Sequence, residues 1–299
     1  MKFTRRHYLY LLGAGLSAAP ANTLADRWRQ IASETDGAIG AAAVHLEAGQ
    51  HVSLHGDDRF PLASVCKLPI AMHILAMVDK GKLSRSAPIE VIRRDVTTEV
   101  SEVGERWPKQ RRFPLDELLR LMVAKSDNTA VETLYRIGGG AAAIAARLQG
   151  WNLDGIRIDR SERQCNRDAA KSMRLFIADP RDTGTPDGTA QLLKRVFRGE
   201  LLSASSTARI VEILKATSTG PARIKGLLPP AVIVAHKTGT TGTHGGLNGS
   251  TNDVGVIELP KGAGQLFVAV YLKGSTRDLA AREMAIARIA KAAFDAWLV

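Results

Sequence analysis

Apolar positions divide the chain into three zones. Near both ends they form short alternating or continuous runs that predict strands, at 41–46, 51–54, 231–235, 253–259 and 265–272. The first two flank Glu47-Ala48-Gly49-Gln50, a hairpin signal. In the middle the spacing turns helical. A strongly apolar stretch at 64–80 predicts a helix stopped by Gly81. Residues 115–136 predict two helical pieces split by Ser126-Asp127-Asn128; Leu115, Leu118, Leu119 and Met122 stripe the first, and Thr129 with Glu132 fits a capping box opening the second. The glycines at 138–140 end that helix, and further helices are expected at 141–148, 190–197 and 204–216. Helices at 26–35 and at about 277–298 bracket the whole. Residues 154–186, rich in charge, Asn, Asp and Pro, lack helical periodicity and read as a long functional loop. The terminal segments should therefore pair into one antiparallel sheet, with the middle as a helical insertion. This is an α+β fold.

The first 25 residues break this pattern. Lys2, Arg5 and Arg6 form a basic start, an apolar run follows from Tyr8 to Ala19, and small residues offer cleavage sites ending at Ala21 or near Ala25. That is the layout of a signal peptide, too short to serve as a membrane span. The Arg5-Arg6 pair points to twin-arginine export and a periplasmic or secreted protein. Residues 26–57 with 210–299 are assigned to a sheet domain and 58–209 to a helical domain.

Composition alters little. At 45% hydrophobic and 24% charged, 299 residues can build a substantial core. Removing the leader takes away three positive charges and no acid, so the formal charge of +11 becomes +8. The basic residues are scattered, and the densest cluster, Lys109, Arg111 and Arg112, lacks interleaved aromatics; no nucleic-acid partner is expected. Cys66 and Cys165 make neither a disulfide framework nor a metal set; they are free buried thiols or one disulfide. No second apolar stretch is long enough to hold the mature chain in a membrane, and a monomer is expected.

Three motifs carry the chemistry: Ser64-Val65-Cys66-Lys67, Ser126-Asp127-Asn128 and Lys237-Thr238-Gly239. Each alone is weak: S-x-x-K usually caps a helix, S-D-N starts one, and K-T-G makes a turn. Together, in this order, they match the S-x-x-K, S-D-N and K-T-G set shared by class A β-lactamases and penicillin-binding proteins. Glu162 and Asn166 add a Glu-x-x-x-Asn pattern. The chemistry is coherent. Ser64 on the first turn of a helix sits near its positive end, and Lys67, three residues on, shares its face. A serine hydroxyl attacks only once a base takes its proton. A lysine serves as that base only when burial or a cationic neighbour such as Lys237 lowers its pKa; Glu162, through a water, is the competing base.

Nearly the whole mature chain resembles the class A serine β-lactamases. Arg160 and Asp182 resemble the ion pair that closes the family's omega-shaped loop, with 179–183 following its pattern, and 219–223 resembles the segment that brings an arginine to the K-T-G strand. The resemblance implies a five-stranded antiparallel sheet flanked by the terminal helices. It implies that Ser64 is acylated by a β-lactam, with the backbone N–H groups of Ser64 and Thr240 as oxyanion hole. Ser126 would relay a proton to the ring nitrogen. Asn128 would bind the substrate amide, while Lys237, Thr238 and Arg223 would hold its carboxylate. Glu162 and Asn166 would hold the water that frees the acyl-enzyme. No metal or organic cofactor is implied, and the partners are small β-lactams.

The departures are specific. Cysteine stands at 66 and 165, where the family has other residues, which suggests that the two pack near each other beneath the site. Ala63 and Thr241 replace the cysteine pair of some carbapenem-hydrolysing members. The stretch from Thr240 to Asp253 is long and glycine-rich, so a long hairpin loop is expected at the mouth of the site. An aromatic gatekeeper would fall between Ser101 and Trp107, with Trp107 as the candidate. Two alternatives share the three motifs: a D-Ala-D-Ala peptidase and a non-hydrolysing β-lactam sensor. Glu162 argues against both, because it supplies a means of deacylation.

Overall fold

The computed structural model describes residues 23–298; residues 1–22 of the expected leader, with the Arg5-Arg6 pair and the cleavage site at Ala21, lie outside them, whereas Ala25 falls inside the helix Leu24–Ser33. Five strands form one antiparallel sheet: β1 (Ala38–His45), β2 (Gln50–Leu54), β3 (Val234–Thr240), β4 (Ser250–Leu259) and β5 (Gly264–Lys273), in the order β2-β1-β5-β4-β3. The chain ends pair as expected, Ala42 opposite Ala269 and Val254 opposite Lys237. Central β5 is apolar and buried from Leu266 to Leu272 because both its faces are covered there. Phe267, Ala269 and Tyr271 join the core shared with the helical region, while Leu266, Val268 and Val270 pack with the terminal helices Leu24–Ser33 and Leu279–Ala296. The period of two along a strand divides one run between two cores. Trp28 Nε1 donates to Ile289 O at 3.0 Å and ties the two terminal helices together.

The helix Lys67–Asp79 runs through the middle of the helical region, with every residue from Lys67 to Ala76 buried. Its end is set by Gly81 at φ 68, with Gly81 N donating to Val78 O and Lys82 N to Met77 O. That pairing satisfies the last carbonyls in a left-handed cap. A two-residue ladder, Phe60 opposite Gly184, ties the segment before this helix to the end of the 154–186 segment. The buried cluster that includes Leu68, Leu119 and Leu193 also takes in Phe267 and Tyr271 from the sheet. The expected boundary at 209/210 falls inside the helix Ala204–Lys215.

Three expectations are corrected. The stretch 154–186 is not an open loop: it holds helices Glu162–Lys171 and Met173–Ala178. Its helices are capped by Ser161 and Ser172, and the first has only Ala169 fully buried, so it shows little apolar stripe for a periodicity to reveal. The helix Asn128–Ile137 is capped by Asp127, which accepts from Ala130 N at 2.8 Å, and not by Thr129. Thr129 and Glu132 lie inside it and serve neighbouring segments: Thr129 Oγ1 accepts from Thr97 N, and Glu132 from Arg163 N. The stretch Thr240 to Asp253 is mostly paired. Thr243–His244 and Leu247–Asn248 form a small hairpin, and Gly245 and Gly246, at φ 59 and 76, make the two-residue turn that needs positive φ at both centres.

Candidate active site

Ser64 lies in a 3-10 turn, Ala63–Cys66, that runs directly into the helix Lys67–Asp79. Ala63, at φ 46, takes the left-handed conformation that starts this turn. Ser126, at φ 59, does the same between two helices. Left-handed backbone in non-glycine residues is costly and tends to gather at functional sites. The S-D-N segment is fastened through Asp127, which accepts from Ser101 Oγ, Val103 N and Ala130 N and is almost wholly buried.

The motifs meet around one hydroxyl. Lys67 Nζ, fully buried, donates to Ser64 Oγ at 2.9 Å, Ser126 O at 2.8 Å, Ser126 Oγ at 3.2 Å and Asn128 Oδ1 at 2.7 Å. Glu162 Oε1 accepts from Ser64 Oγ at 3.3 Å and lies 3.5 Å from Lys67 Nζ. Lys237 Nζ reaches Ser126 Oγ at 3.1 Å from the other side. Burial first, then the Lys67 charge beside it, pull the Lys237 pKa down to about 7. Asn128 Nδ2 donates to Glu99 O, which ties this wall to the 96–100 segment.

Glu162 opens its helix one residue after the Ser161 cap, so Asn166 sits one turn further along the same face, and both line the cleft. The ends of the segment are joined by Arg160 and Asp182. Asp182 Oδ2 accepts from Arg160 Nε at 2.6 Å, and Oδ1 from the backbone N–H groups of Asp159 and Arg160. Asp168 and Asp179 also contact the Arg160 guanidinium. Hydrogen bonds from Arg181 hold the Asp179 carboxyl down at about 2.

On the sheet side Thr238 Oγ1 contacts Thr219 Oγ1 at 2.6 Å. Arg223 is buried. It donates to Gly239 O, Asn252 O and Thr240 Oγ1 and pairs with Glu283 at 3.0 Å. Its charge therefore stands behind Thr240 at the cleft wall. Thr241 N donates to Ser250 O; in an edge strand the N–H of the preceding Thr240 then points away from the neighbouring strand, and Thr240 and Ser64 both line the cleft.

The resulting cleft, 530 Å³, is lined by Ser64, Ser126, Asn128, Glu162, Asn166, Arg223, Thr238 and Thr240. Lys67 and Lys237 lie just beneath its surface. The eight residues marked by the motifs, and Thr240 and Arg223 suggested by the family resemblance, thus lie in one place. Trp107 does not line the cleft; it packs against the core, and Glu99 and Val100 stand at that wall instead. The hairpin contributes His244 to the mouth. Both cysteines are free thiols and line one small pocket behind Glu162. Cys66 Sγ is 3.7 Å from Glu162 Oε2. Burial, then the Glu162 charge, pushes the Cys66 thiol well up, so it stays protonated and acts as a donor. Glu283 and the contacts of Glu132 had no local sequence signal, since both depend on elements distant in the chain.

A model of the β-lactamase enzyme family matches residues 23–297. The chain is 30% identical to β-lactamase VEB-1 of Pseudomonas aeruginosa over 305 residues, covering 100% of this chain and 99% of that protein. It is 34% identical to the extended-spectrum β-lactamase PER-1 of the same organism over 240 residues, 80% of this chain and 75% of the relative. The solved structure of an ancestral class A β-lactamase superposes with a TM-score of 0.82 at 33% identity, covering 92% of this chain and 100% of that one. The chain belongs to the class A serine β-lactamases. As a β-lactamase it keeps the five-stranded α+β architecture of that structural relative. Among the described residues no helix is long and apolar enough to cross a membrane.

Proposed function

We propose that this β-lactamase hydrolyses the amide bond of penicillin- and cephalosporin-type lactams through an acyl-enzyme on Ser64. The observation that carries the reading is the placement of Ser64 Oγ between Lys67 Nζ at 2.9 Å and Glu162 Oε1 at 3.3 Å. Glu162, directly or through a water, takes the Ser64 proton as Oγ attacks the lactam carbonyl. The N–H groups of Ser64 and Thr240 hold the oxyanion; losing one such donor typically costs about 2.7–4 kcal/mol of barrier. The C–N bond breaks, and Ser126 Oγ, which touches both lysines, passes its proton to the leaving nitrogen and is reprotonated by Lys67, which takes the proton held on Glu162 and so returns that carboxylate to its basic form. Lys237, Thr238 and, from behind Thr240, Arg223 hold the substrate carboxylate, while Asn128 faces its amide. Glu162 and Asn166 then position a water, Glu162 takes its proton, and the ester on Ser64 is cleaved.

A peptidase or sensor reading requires an acyl-enzyme that no base clears, and the Glu162 carboxylate beside Ser64 speaks for clearance. Turnover of a chromogenic cephalosporin by the purified enzyme tests this; stoichiometric acylation without turnover would return it to those classes. Ser64→Ala should abolish the covalent adduct seen by mass spectrometry, and Glu162→Ala should let it accumulate.

We also infer export, with the sheet and helical regions forming the mature enzyme. The helix Leu24–Ser33 starts from a capping box between Thr23 and Asp26, which favours leader cleavage after Ala21 over Ala25. Replacing Arg5-Arg6 by two lysines would block export on the twin-arginine route and leave an ordinary secretory route working.

A further inference from the structure

Where the C-terminal helix begins, a pocket of 180 Å³ opens that shares no lining residue with the Ser64 cleft. Three arginines line it: Arg277, Arg282 and Arg288. Arg282 is unusual because it is only 6% exposed. Its Nε is buried with no hydrogen-bond partner, and among the described residues no carboxylate lies within ion-pair distance of its guanidinium. Buried guanidinium groups are ordinarily paired, since an unpaired charge away from water is costly. Burial and then the Arg223 charge pull its pKa below the usual arginine value, and the more distant Asp278, Asp36 and Glu283 charges only partly oppose them.

The acids nearby are committed elsewhere. Asp36 accepts from Ser275 Oγ and from both Thr276 N and Oγ1. Asp278 caps the C-terminal helix through Ala281 N at 2.8 Å. Glu283 pairs with Arg223, and Glu34 with Arg288 at 2.6 Å. Arg277, exposed at the rim, has no ion pair among the described residues. The pocket thus offers two uncommitted guanidinium groups and part of a third around a space that fits one small anion.

We propose that this pocket binds an oxyanion of the phosphate or sulfate type, with Arg282 as its buried donor and Arg277 closing over it. The planar guanidinium fork matches two oxygens of such a group, and a bound anion supplies the charge that Arg282 lacks. Occupancy also offsets the repulsion between Arg282 and Arg223, the arginine that donates to Thr240 at the catalytic cleft.

The test is thermal unfolding of the whole enzyme in inorganic phosphate against chloride at equal ionic strength. The cationic Ser64 cleft also attracts phosphate, and that contribution is common to wild type and pocket variants. The wild-type Tm should rise saturably with phosphate. At least half of that rise should be lost in Arg282→Gln and in Arg277→Gln. Because Arg277 is exposed, its variant keeps the test decisive even if Arg282→Gln fails to fold. A full wild-type rise in Arg277→Gln, or in a folded Arg282→Gln, would overturn the proposal by assigning all binding to the cleft. Phosphatidylglycerol vesicles separate the sources: sedimentation that Arg277→Gln abolishes names a lipid headgroup, and a Tm rise without sedimentation names the free anion.

Discussion

Lys237 and Cys66 show how single side chains tune this site. With its pKa near 7, Lys237 is cationic below that pH and increasingly neutral above it. On the proposed function, the charge that would attract a substrate carboxylate is therefore lost as pH rises. KM for carboxylate-bearing substrates should climb through neutral pH, more than kcat falls, in steady-state profiles. In Lys237→Arg, whose guanidinium stays charged, that alkaline rise in KM should flatten. Cys66 contacts the other oxygen of the proposed base: its thiol donates to Glu162 Oε2 while Oε1 faces Ser64. One hydrogen bond of about 1 kcal/mol corresponds to roughly a five-fold rate effect. Cys66→Ala should slow deacylation by about that factor and acylation by less, in pre-steady-state measurements, and Cys66→Ser should restore it.

At the scale of an element, the segment that carries Glu162 depends on its closure. Its helix buries few apolar side chains, so position comes from ions: Arg160 with Asp182, and Glu132 holding Arg163 N at 2.7 Å. Removing one member of a buried pair costs about 3–5 kcal/mol. Asp182→Ala should lower stability by that order in urea unfolding. It should also let the acyl-enzyme accumulate, because Glu162 loses its fixed distance from Ser64. The charge and turn residues of this segment were legible in the sequence, but its two helices were not. Helical periodicity reports a buried apolar stripe; the first helix has almost none, and the second, which buries Met173 and Phe176, is six residues long and too short to show a repeat.

For the whole molecule, the decisive contact is the seam between sheet and helical region. Gly239 is the glycine of K-T-G because a Cβ there would lie 2.6 Å from Leu62 O and 3.1 Å from Val65 N. Asn252, opposite Gly239 in the sheet, fastens the same seam by donating to Pro61 O and Leu62 O. Gly239→Ala should push β3 away from the Ser64 turn. A displacement of about 1 Å in such a site costs on the order of 100-fold in rate. kcat/KM should fall by at least that much while far-UV circular dichroism stays native.

The sequence by itself determined the α+β class and the order of the sheet strands along the chain, and its motifs marked Ser64, Lys67, Ser126, Asn128, Glu162, Asn166, Lys237 and Thr238, while Thr240 and Arg223 came from the family resemblance. The class and the motif residues follow from local periodicity and from short patterns whose members lie within one helical turn or one strand. Tertiary structure alone decided what depends on distant partners. Trp107, half-buried, packed against the core and left Glu99 and Val100 at the wall. Thr129 and Glu132 gave up capping to serve other segments, and Arg223 found Glu283. The Lys237 pKa and the unpaired Arg282 likewise arise only after folding, because burial and the nearest charge are set by residues remote in the chain.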